Sequence, residues 1–140
     1  MHQVFVYGTL KRGYPNAHIG MPRATFLGNF RTVERYPLII GGRWFSPNLL
    51  NEPGTGFQVT GEAYDVDDAV LAELDDLESV HLPGGYRRVK VAVEPTDAAS
   101  PPLGDVWTYL RERHHVEGIH DGPMETYPLD TRYVPSAKRG

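Results

Sequence analysis

Short stretches in which hydrophobic and polar residues alternate recur along the chain. They cover residues 3–7, 24–33, 36–40, 57–65, 86–94 and 106–110, and they are rich in valine, isoleucine and aromatic residues. A period of two with these residue types is typical of β-strands. The pattern therefore predicts several short strands, of which 106–110 is the last. From residue 111 onward the chain is irregular, and it either wraps over the body of the protein or stays partly mobile.

One stretch follows a helical period instead. From residue 67 to about 78, apolar residues recur at the spacing i, i+1, i+4 and i+7, which gives a single core-facing stripe. The stripe consists of Val70, Leu71, Leu74 and Leu77. Asp67 or Asp68 is a suitable N-cap, and a Pro-Gly-Gly sequence ends the segment soon afterwards. Several strands around one helix predict an α+β domain with a closed or strongly curved sheet.

The length and the turn residues agree with this prediction. A chain of 140 residues fits one domain, and the sequence contains neither an internal repeat nor a linker, so residues 1–140 are interpreted as a single domain. Glycine (15) and proline (12) are abundant without any period, while 40% of the residues are hydrophobic. This composition indicates a loop-rich β protein rather than a disordered chain.

Composition narrows the possible functions. Without cysteine, the chain has no disulfides, thiolate catalysis or iron–sulfur cluster, and this suits a cytoplasmic location. The net charge of −4 gives no general attraction to nucleic acid. Neither a signal peptide nor an apolar run of ~20 residues is present, so no membrane association is expected. The histidines at 114, 115 and 120 lack metal-ligand spacing and predict a surface loop. Oligomeric state cannot be inferred from the sequence.

The acidic residues at the end of the predicted helix are not equivalent. At ~100° per residue, Glu78 falls inside the apolar stripe, whereas Glu73 and Asp76 fall toward the solvated side. An inward carboxylate must be paired or its pKa rises. The helix C-terminus and the neighbouring aspartates are expected to raise that pKa further, toward the range suited to a general base and acid. Alternatively, the helix end frays and Glu78 is solvated.

A glycine-containing loop follows the first predicted strand directly. It reads Tyr7-Gly8-Thr9-Leu10 and is called the 7–10 loop below. Glycine permits unusual backbone angles and the close approach of a ligand, and successive N–H groups in such a turn can form a concave anion site. On spacing alone these residues are more typical of an ordinary turn after a strand, because Gly-Thr is common there.

Taken together, these segments resemble the γ-glutamylcyclotransferase-like (AIG2-like) family. The resemblance rests on residues 4–13 (Val-Phe-Val-Tyr-Gly-Thr-Leu-Lys-Arg-Gly), 15–16 (Pro-Asn), 36–40 (Tyr-Pro-Leu-Ile-Ile), 61–64 (Gly-Glu-Ala-Tyr) and 74–79 (Leu-Asp-Asp-Leu-Glu-Ser). It extends over about residues 3–93. The loop 96–104 and a divergent C-terminal tail from about residue 112 do not share it.

The resemblance implies a specific fold and chemistry. The fold would be a small mixed β-barrel with one main helix and a few short helices. The backbone of the 7–10 loop would hold the carboxylate end of a small γ-glutamyl substrate, Glu78 would be the catalytic acid and base, and Tyr86 would line the pocket. The reaction would cyclise an L-γ-glutamyl amine or amide to 5-oxoproline and a free amine, without metal or cofactor. Two alternatives remain: a non-catalytic member that binds a small metabolite, and removal of a γ-glutamyl group in a biosynthetic pathway.

Overall fold

The structure is a computed structural model that describes residues 1–139, and it contains eight strands and one α-helix in that range. The strands are β1 (His2–Val6), β2 (Thr25–Thr32), β3 (Leu38–Gly41), β4 (Ser46–Leu50), β5 (Thr60–Val66), β6 (Arg87–Pro95), β7 (Gly104–Arg111) and β8 (Ile119–Met124). Helix α1 (Asp68–Leu77) lies between β5 and β6 in the chain. Three 3-10 helices occupy Met21–Arg23, Arg113–His115 and Ser136–Lys138.

Five of the strands close into a barrel. The hydrogen-bonded order runs β1, β5, β2, β6 and β7, and β7 returns to β1 through a parallel pairing of Val4 with Trp107. The other neighbouring strands in the ring are antiparallel. Outside the ring, β4 pairs with β7 in parallel, and β3 and then β8 extend the sheet beyond β4. The prediction of an α+β fold with a small mixed barrel, one main helix and a few short helices is therefore confirmed.

Strand β1 is buried on both faces. Phe5 points into the barrel interior, whereas Val4 and Val6 pack toward the helix, as the two-residue period of a strand requires. The helix contributes Val70, Leu71 and Leu74 to this second cluster, and these are three of the four residues in the predicted apolar stripe. The fourth, Leu77, is partly buried at its edge.

The two ends of the helix also follow from the sequence. Asp67 is the N-cap, and its side chain accepts a hydrogen bond from the Val70 N–H at 2.8 Å. Glu78 is the C-cap. At ten residues α1 is short, and no helix within residues 1–139 is long and apolar enough to cross a membrane.

Two strands were absent from the sequence-based prediction. Strand β4 reads Ser-Pro-Asn-Leu-Leu, and strand β8 reads Ile-His-Asp-Gly-Pro-Met with nearly every residue exposed, so neither shows a two-residue alternation. The prediction that residues 106–110 form the last strand is therefore wrong, because β8 pairs with β3. That pairing uses backbone groups, which leave no trace in the hydrophobic pattern.

The segment after β8 packs onto the body of the protein. Tyr127 is 0% exposed and belongs to the main hydrophobic cluster together with Phe5 and Phe30. Lys11, itself buried, donates a hydrogen bond from Nζ to the Tyr127 carbonyl oxygen at 3.0 Å. The C-terminal tail therefore supplies part of the core.

Replacing Tyr127 by alanine tests whether the tail stabilises the fold. Tyr127→Ala is expected to lower the free energy of unfolding by about 3–5 kcal/mol, because it leaves a cavity in the core. Leu129→Ala is the control, since Leu129 lies two residues away and is 57% exposed; its effect should stay within about 0.5 kcal/mol. Urea unfolding followed by fluorescence measures both. Equal, small losses in the two variants would show that the tail is dispensable.

Candidate active site

A cavity of about 380 Å³ lies between the loop that follows β1, the end of α1 and the C-terminal tail. All six residues singled out from the sequence line it, namely Tyr7, Gly8, Thr9, Leu10, Glu78 and Tyr86. Five further residues with polar, aromatic or positively charged side chains also line it, namely Asn16, Trp44, Arg111, Tyr133 and Arg139. No group of three or more His, Asp or Glu side chains in residues 1–139 is arranged to ligate a metal ion.

The 7–10 loop forms the buried floor of the cavity. Its carbonyl groups are engaged by the chain that follows: Gly8 O accepts from the Lys11 N–H at 3.1 Å, and Thr9 O from the Asn16 N–H at 2.8 Å. The N–H groups of Gly8, Thr9 and Leu10 have no acceptor among residues 1–139. Buried N–H groups are nearly always paired, so three donors left unpaired in a loop that lines a cavity indicate a site for an anionic or carbonyl oxygen.

Two side chains fix the position of this loop. Glu62 accepts hydrogen bonds from the Arg12 N–H at 2.9 Å and from the Tyr64 hydroxyl at 3.0 Å. Asn16 donates from Nδ2 to Thr9 Oγ1 at 2.9 Å and to the Tyr133 hydroxyl at 2.8 Å. Both residues belong to segments that carried the family resemblance, but their sequence neighbourhood alone gives no sign of these contacts.

A glycine is required at position 8 by close packing. A Cβ atom there would lie 2.6 Å from Cγ of Pro47, which stands on β4. Any larger residue would force the loop and β4 apart and so displace the three N–H donors.

The Tyr7 hydroxyl forms hydrogen bonds with backbone groups of the protein. It donates to the Tyr109 carbonyl oxygen at 2.7 Å and accepts from the Leu49 N–H at 3.3 Å, which links β1 to β7 and β4. Burial raises the pKa of Tyr7 well above its usual value, and the nearby Tyr86 and Glu78 add to the rise. Tyr7 therefore anchors the start of the loop and offers its ring, rather than its hydroxyl, to the cavity.

The end of helix α1 is fixed rather than frayed. The Ser79 N–H donates to the Asp76 carbonyl at 3.1 Å, and the Val80 N–H to the Asp75 carbonyl at 3.1 Å. This is the Schellman pattern, and it requires a left-handed residue after the C-cap. That residue is Ser79, with φ of 54°. The closure turns the Glu78 side chain into the cavity, where it is half-buried.

Burial raises the pKa of the Glu78 carboxyl to about 7, and the positive charges of Arg111 and Arg139 oppose that rise. The neighbouring aspartates, which the sequence suggested as a further cause, do not contribute. Asp75 is instead paired with Arg88 Nε at 3.0 Å and accepts from the Tyr109 hydroxyl at 2.8 Å. A carboxyl with a pKa near 7 exchanges protons readily at neutral pH.

Tyr86 closes the cavity beside Glu78. Its N–H donates to the Glu78 carbonyl at 3.0 Å, and its hydroxyl donates to the Pro47 carbonyl at 2.8 Å. Burial raises the pKa of Tyr86 as well, and the charge of Glu78 adds a smaller rise to it. The Arg111 guanidinium lies 5.3 Å from the ring centroid and donates to the Gly84 carbonyl and to Asn48 Oδ1, each at 3.2 Å.

Sequence analysis did not identify four of the lining residues, namely Trp44, Arg111, Tyr133 and Arg139. Trp44 lies in the turn between β3 and β4, and Tyr133 and Arg139 lie in the C-terminal tail. None belongs to a motif or to a periodic segment. Only the tertiary fold brings them to the cavity, so no local signal could have identified them.

Comparison with known proteins gives a consistent result. The model of the family "Gamma-glutamyl cyclotransferase, AIG2-like" matches residues 4–128. The chain is 39% identical over 144 residues to gamma-glutamylaminecyclotransferase of Bos taurus, covering 97% of this chain and 83% of that protein. It is 44% identical over 105 residues to the Homo sapiens protein of that name, and this match covers 72% of this chain and 67% of the human protein. The crystal structure of an AIG2-like protein from Mus musculus matches with a TM-score of 0.78 and 34% identity over 99% of both chains.

Two adjacent glycines test how tightly the Glu78 segment is held. A Cβ atom on Gly85 would lie 1.9 Å from the Ser79 carbonyl oxygen, whereas one on Gly84 meets nothing within 4 Å. Gly85→Ala is expected to cost about 1–3 kcal/mol of stability through this overpacking. Gly84→Ala should be close to neutral and serves as the matched control. Thermal or urea unfolding compares the two, and similar behaviour would contradict the tight packing against Ser79.

The raised pKa of Glu78 predicts how stability depends on pH. The folded protein keeps this proton up to about pH 7, whereas the ordinary pKa is 4.5, so stability declines as the pH rises between these values. Glu78→Gln is neutral at every pH and should be more stable than the wild type by about 1–3 kcal/mol at about pH 8. The difference should vanish at about pH 4. Urea unfolding across this range measures it, and a constant difference would rule out the raised pKa.

Proposed function

The chain belongs to the gamma-glutamyl cyclotransferase, AIG2-like family, and on that premise we propose that it is an enzyme that cyclises L-γ-glutamylamines to 5-oxoproline and a free amine. The observation that supports this best is that one cavity contains a half-buried carboxyl with a pKa of about 7 and a loop with three backbone N–H donors that are unpaired within residues 1–139. The carboxyl can move protons, and the N–H donors can bind a negatively charged oxygen.

The reaction is an internal transfer of an acyl group. The α-nitrogen of the γ-glutamyl group forms a bond to its own γ-carbonyl carbon, and the bond from that carbon to the departing nitrogen breaks. The α-ammonium loses two protons and keeps one N–H in the lactam, while the departing nitrogen gains two and leaves as an ammonium. Neither water nor an external nucleophile is consumed, so the chemistry requires no nucleophilic side chain.

In this proposal Glu78 moves the protons. As a carboxylate it takes a proton from the α-ammonium, which frees the nitrogen for attack. As a carboxylic acid it then gives the proton to the departing nitrogen, and it can carry the second proton in the same way. A pKa of about 7 suits both directions, since neither protonation state is strongly favoured at neutral pH. Glu78 is regenerated in its starting state.

The 7–10 loop would bind and orient the glutamyl group. The N–H groups of Gly8, Thr9 and Leu10 can donate hydrogen bonds to its carboxylate, or to the γ-carbonyl oxygen as negative charge develops there. Holding a flexible glutamyl chain in a folded shape brings its nitrogen to its own carbonyl and removes much of the entropic barrier. Tyr7 and Tyr86, whose hydroxyls bind backbone carbonyls, would supply rigid walls.

The alternatives raised by the sequence are less well supported. A protein that only binds an acidic metabolite would gain nothing from a carboxyl facing the same cavity, since that carboxyl repels the ligand when ionised. Removal of a γ-glutamyl group in a biosynthetic pathway uses the same bond changes and differs only in the departing amine. We also propose a cytoplasmic location and a small-molecule substrate rather than nucleic acid, in line with the absence of cysteine and the net charge of −4.

Glu78→Gln tests the proposal directly. The variant should lose turnover of γ-glutamylamines by a factor of about 10²–10⁴, because an amide cannot accept and return the proton. The assay measures 5-oxoproline and free amine released from a panel of γ-glutamylamines. Binding of 5-oxoproline, measured by calorimetry, should be retained, since the 7–10 loop is unchanged.

Asp76→Asn is the matched control for this experiment. Asp76 lies two residues before Glu78 on the same helix, and it is exposed and does not line the cavity. Its activity should equal that of the wild type. Wild-type turnover by the Glu78→Gln enzyme would exclude Glu78 as the acid and base.

A further inference from the structure

Asn16 is a buried side chain of the cavity that takes no part in the reaction proposed above. It is 3% exposed and lies in the turn that follows the 7–10 loop. Its amide nitrogen donates both of its hydrogens, one to Thr9 Oγ1 at 2.9 Å and the other to the Tyr133 hydroxyl oxygen at 2.8 Å. One amide group therefore joins the loop to the C-terminal tail.

These two hydrogen bonds determine the direction of the hydroxyl hydrogens. A hydroxyl carries one hydrogen, and when its oxygen accepts from an amide N–H, that hydrogen must point elsewhere. Within residues 1–139, neither the Thr9 hydroxyl nor the Tyr133 hydroxyl donates to an acceptor. Both residues line the cavity. Asn16 thus leaves two hydroxyl donors available to a bound molecule, in addition to the unpaired N–H groups of the loop.

The number of donors indicates which group they bind. The 7–10 loop offers three N–H groups, and the Thr9 and Tyr133 hydroxyls add two further donors. A carbonyl oxygen has two lone pairs, whereas a carboxylate has two oxygens and about four sites at which it accepts. The Arg139 guanidinium, 5.8 Å from the Tyr133 ring centroid, adds a positive charge near these donors. A carboxylate therefore suits the set better than a carbonyl oxygen.

The glutamyl group carries such a carboxylate on the carbon next to the attacking nitrogen, so the next step rests on the proposed function. We propose that the Tyr133 hydroxyl donates a hydrogen bond to this α-carboxylate, and that Asn16 is the positioning residue that directs the hydrogen toward it. The reaction leaves the α-carboxylate unchanged. Its bond to Tyr133 is therefore present in substrate, transition state and product alike, and it contributes to binding rather than to the chemical step.

Tyr133→Phe tests this contact, because it removes the hydroxyl and keeps the ring. Calorimetry should show that 5-oxoproline binds about tenfold or more weakly, as expected when a hydrogen bond to a charged group is lost. Binding of 5-oxoprolinamide, in which a neutral amide replaces the carboxylate, should weaken by a clearly smaller factor. The KM for a γ-glutamylamine should rise as the 5-oxoproline dissociation constant does, while kcat stays within about twofold of the wild type.

Tyr14→Phe is the matched control. The Tyr14 hydroxyl also contacts the tail, since it donates to the Tyr127 carbonyl at 3.2 Å, but Tyr14 does not line the cavity. This variant should bind 5-oxoproline as tightly as the wild type. If Tyr133→Phe weakened both ligands equally, the hydroxyl would bind the lactam carbonyl and the inference would be wrong. A fall in kcat at constant KM would overturn it too.

Asn16→Asp tests the positioning role. A carboxylate at this position accepts hydrogen bonds where the amide donates them, so it draws the hydroxyl hydrogens of Thr9 and Tyr133 away from the ligand. Binding of 5-oxoproline should weaken at least as much as in Tyr133→Phe. Adding Tyr133→Phe to this variant should then weaken binding by less than about twofold more, because the hydroxyl is already diverted. Wild-type affinity in Asn16→Asp, or full additivity of the two changes, would overturn the positioning role.

Binding of 5-oxoproline is measured without turnover, and this separates the inference from the proposed function. A wild type that binds 5-oxoproline but releases none from any γ-glutamylamine would overturn the proposed reaction, whereas weakened binding in Tyr133→Phe would still support the contact. Unchanged binding in Tyr133→Phe would overturn the inference and leave the proposed reaction intact.

Discussion

The burial of β1 on both of its faces is the constraint on which the rest of the structure depends. Phe5 packs inside the barrel, while Val4 and Val6 pack against α1, and each such side chain contributes roughly 1.5–3 kcal/mol. Because the strand is sandwiched, the 7–10 loop that follows it must emerge beside the end of the helix. The parallel pairing of β1 with β7 brings Arg111 to the same place. Barrel closure and cavity formation therefore have one physical origin.

This packing supports local features that would be unfavourable alone. Among residues 1–139 the loop leaves three N–H groups without an acceptor, Glu78 carries its carboxyl into a half-buried site, and Ser79 holds a left-handed φ of 54°. Strain and unpaired polar groups of this kind concentrate where a ligand is bound, and the surrounding structure compensates for them. Here the compensation includes the Tyr7 hydroxyl bridge and the Schellman closure, both of which lie next to the cavity.

The sequence predicted those parts of the molecule that are encoded by local periodicity. The strands around β1, the helix and the inward direction of Glu78 all follow from spacing, and burial was correctly foreseen as a cause of its raised pKa. The aspartates were wrongly included, since the partners of Asp75 lie on β6 and β7, far away in sequence. Strand β8 depends on backbone pairing, and the position of Arg139 in the lining of the cavity depends on the path of the tail. Neither leaves a periodic pattern that sequence analysis can detect.

The tail thereby links two properties of the cavity. Arg139 lines the cavity, and its charge opposes the effect of burial on the pKa of Glu78. Arg111 acts in the same direction from β7, so positive charges on a barrel strand and on the tail both hold that pKa below the value that burial alone would give. The carboxyl can therefore be buried and still exchange its proton near neutral pH. The path of the tail thus shapes the cavity and also influences the acidity of the carboxyl at the helix end.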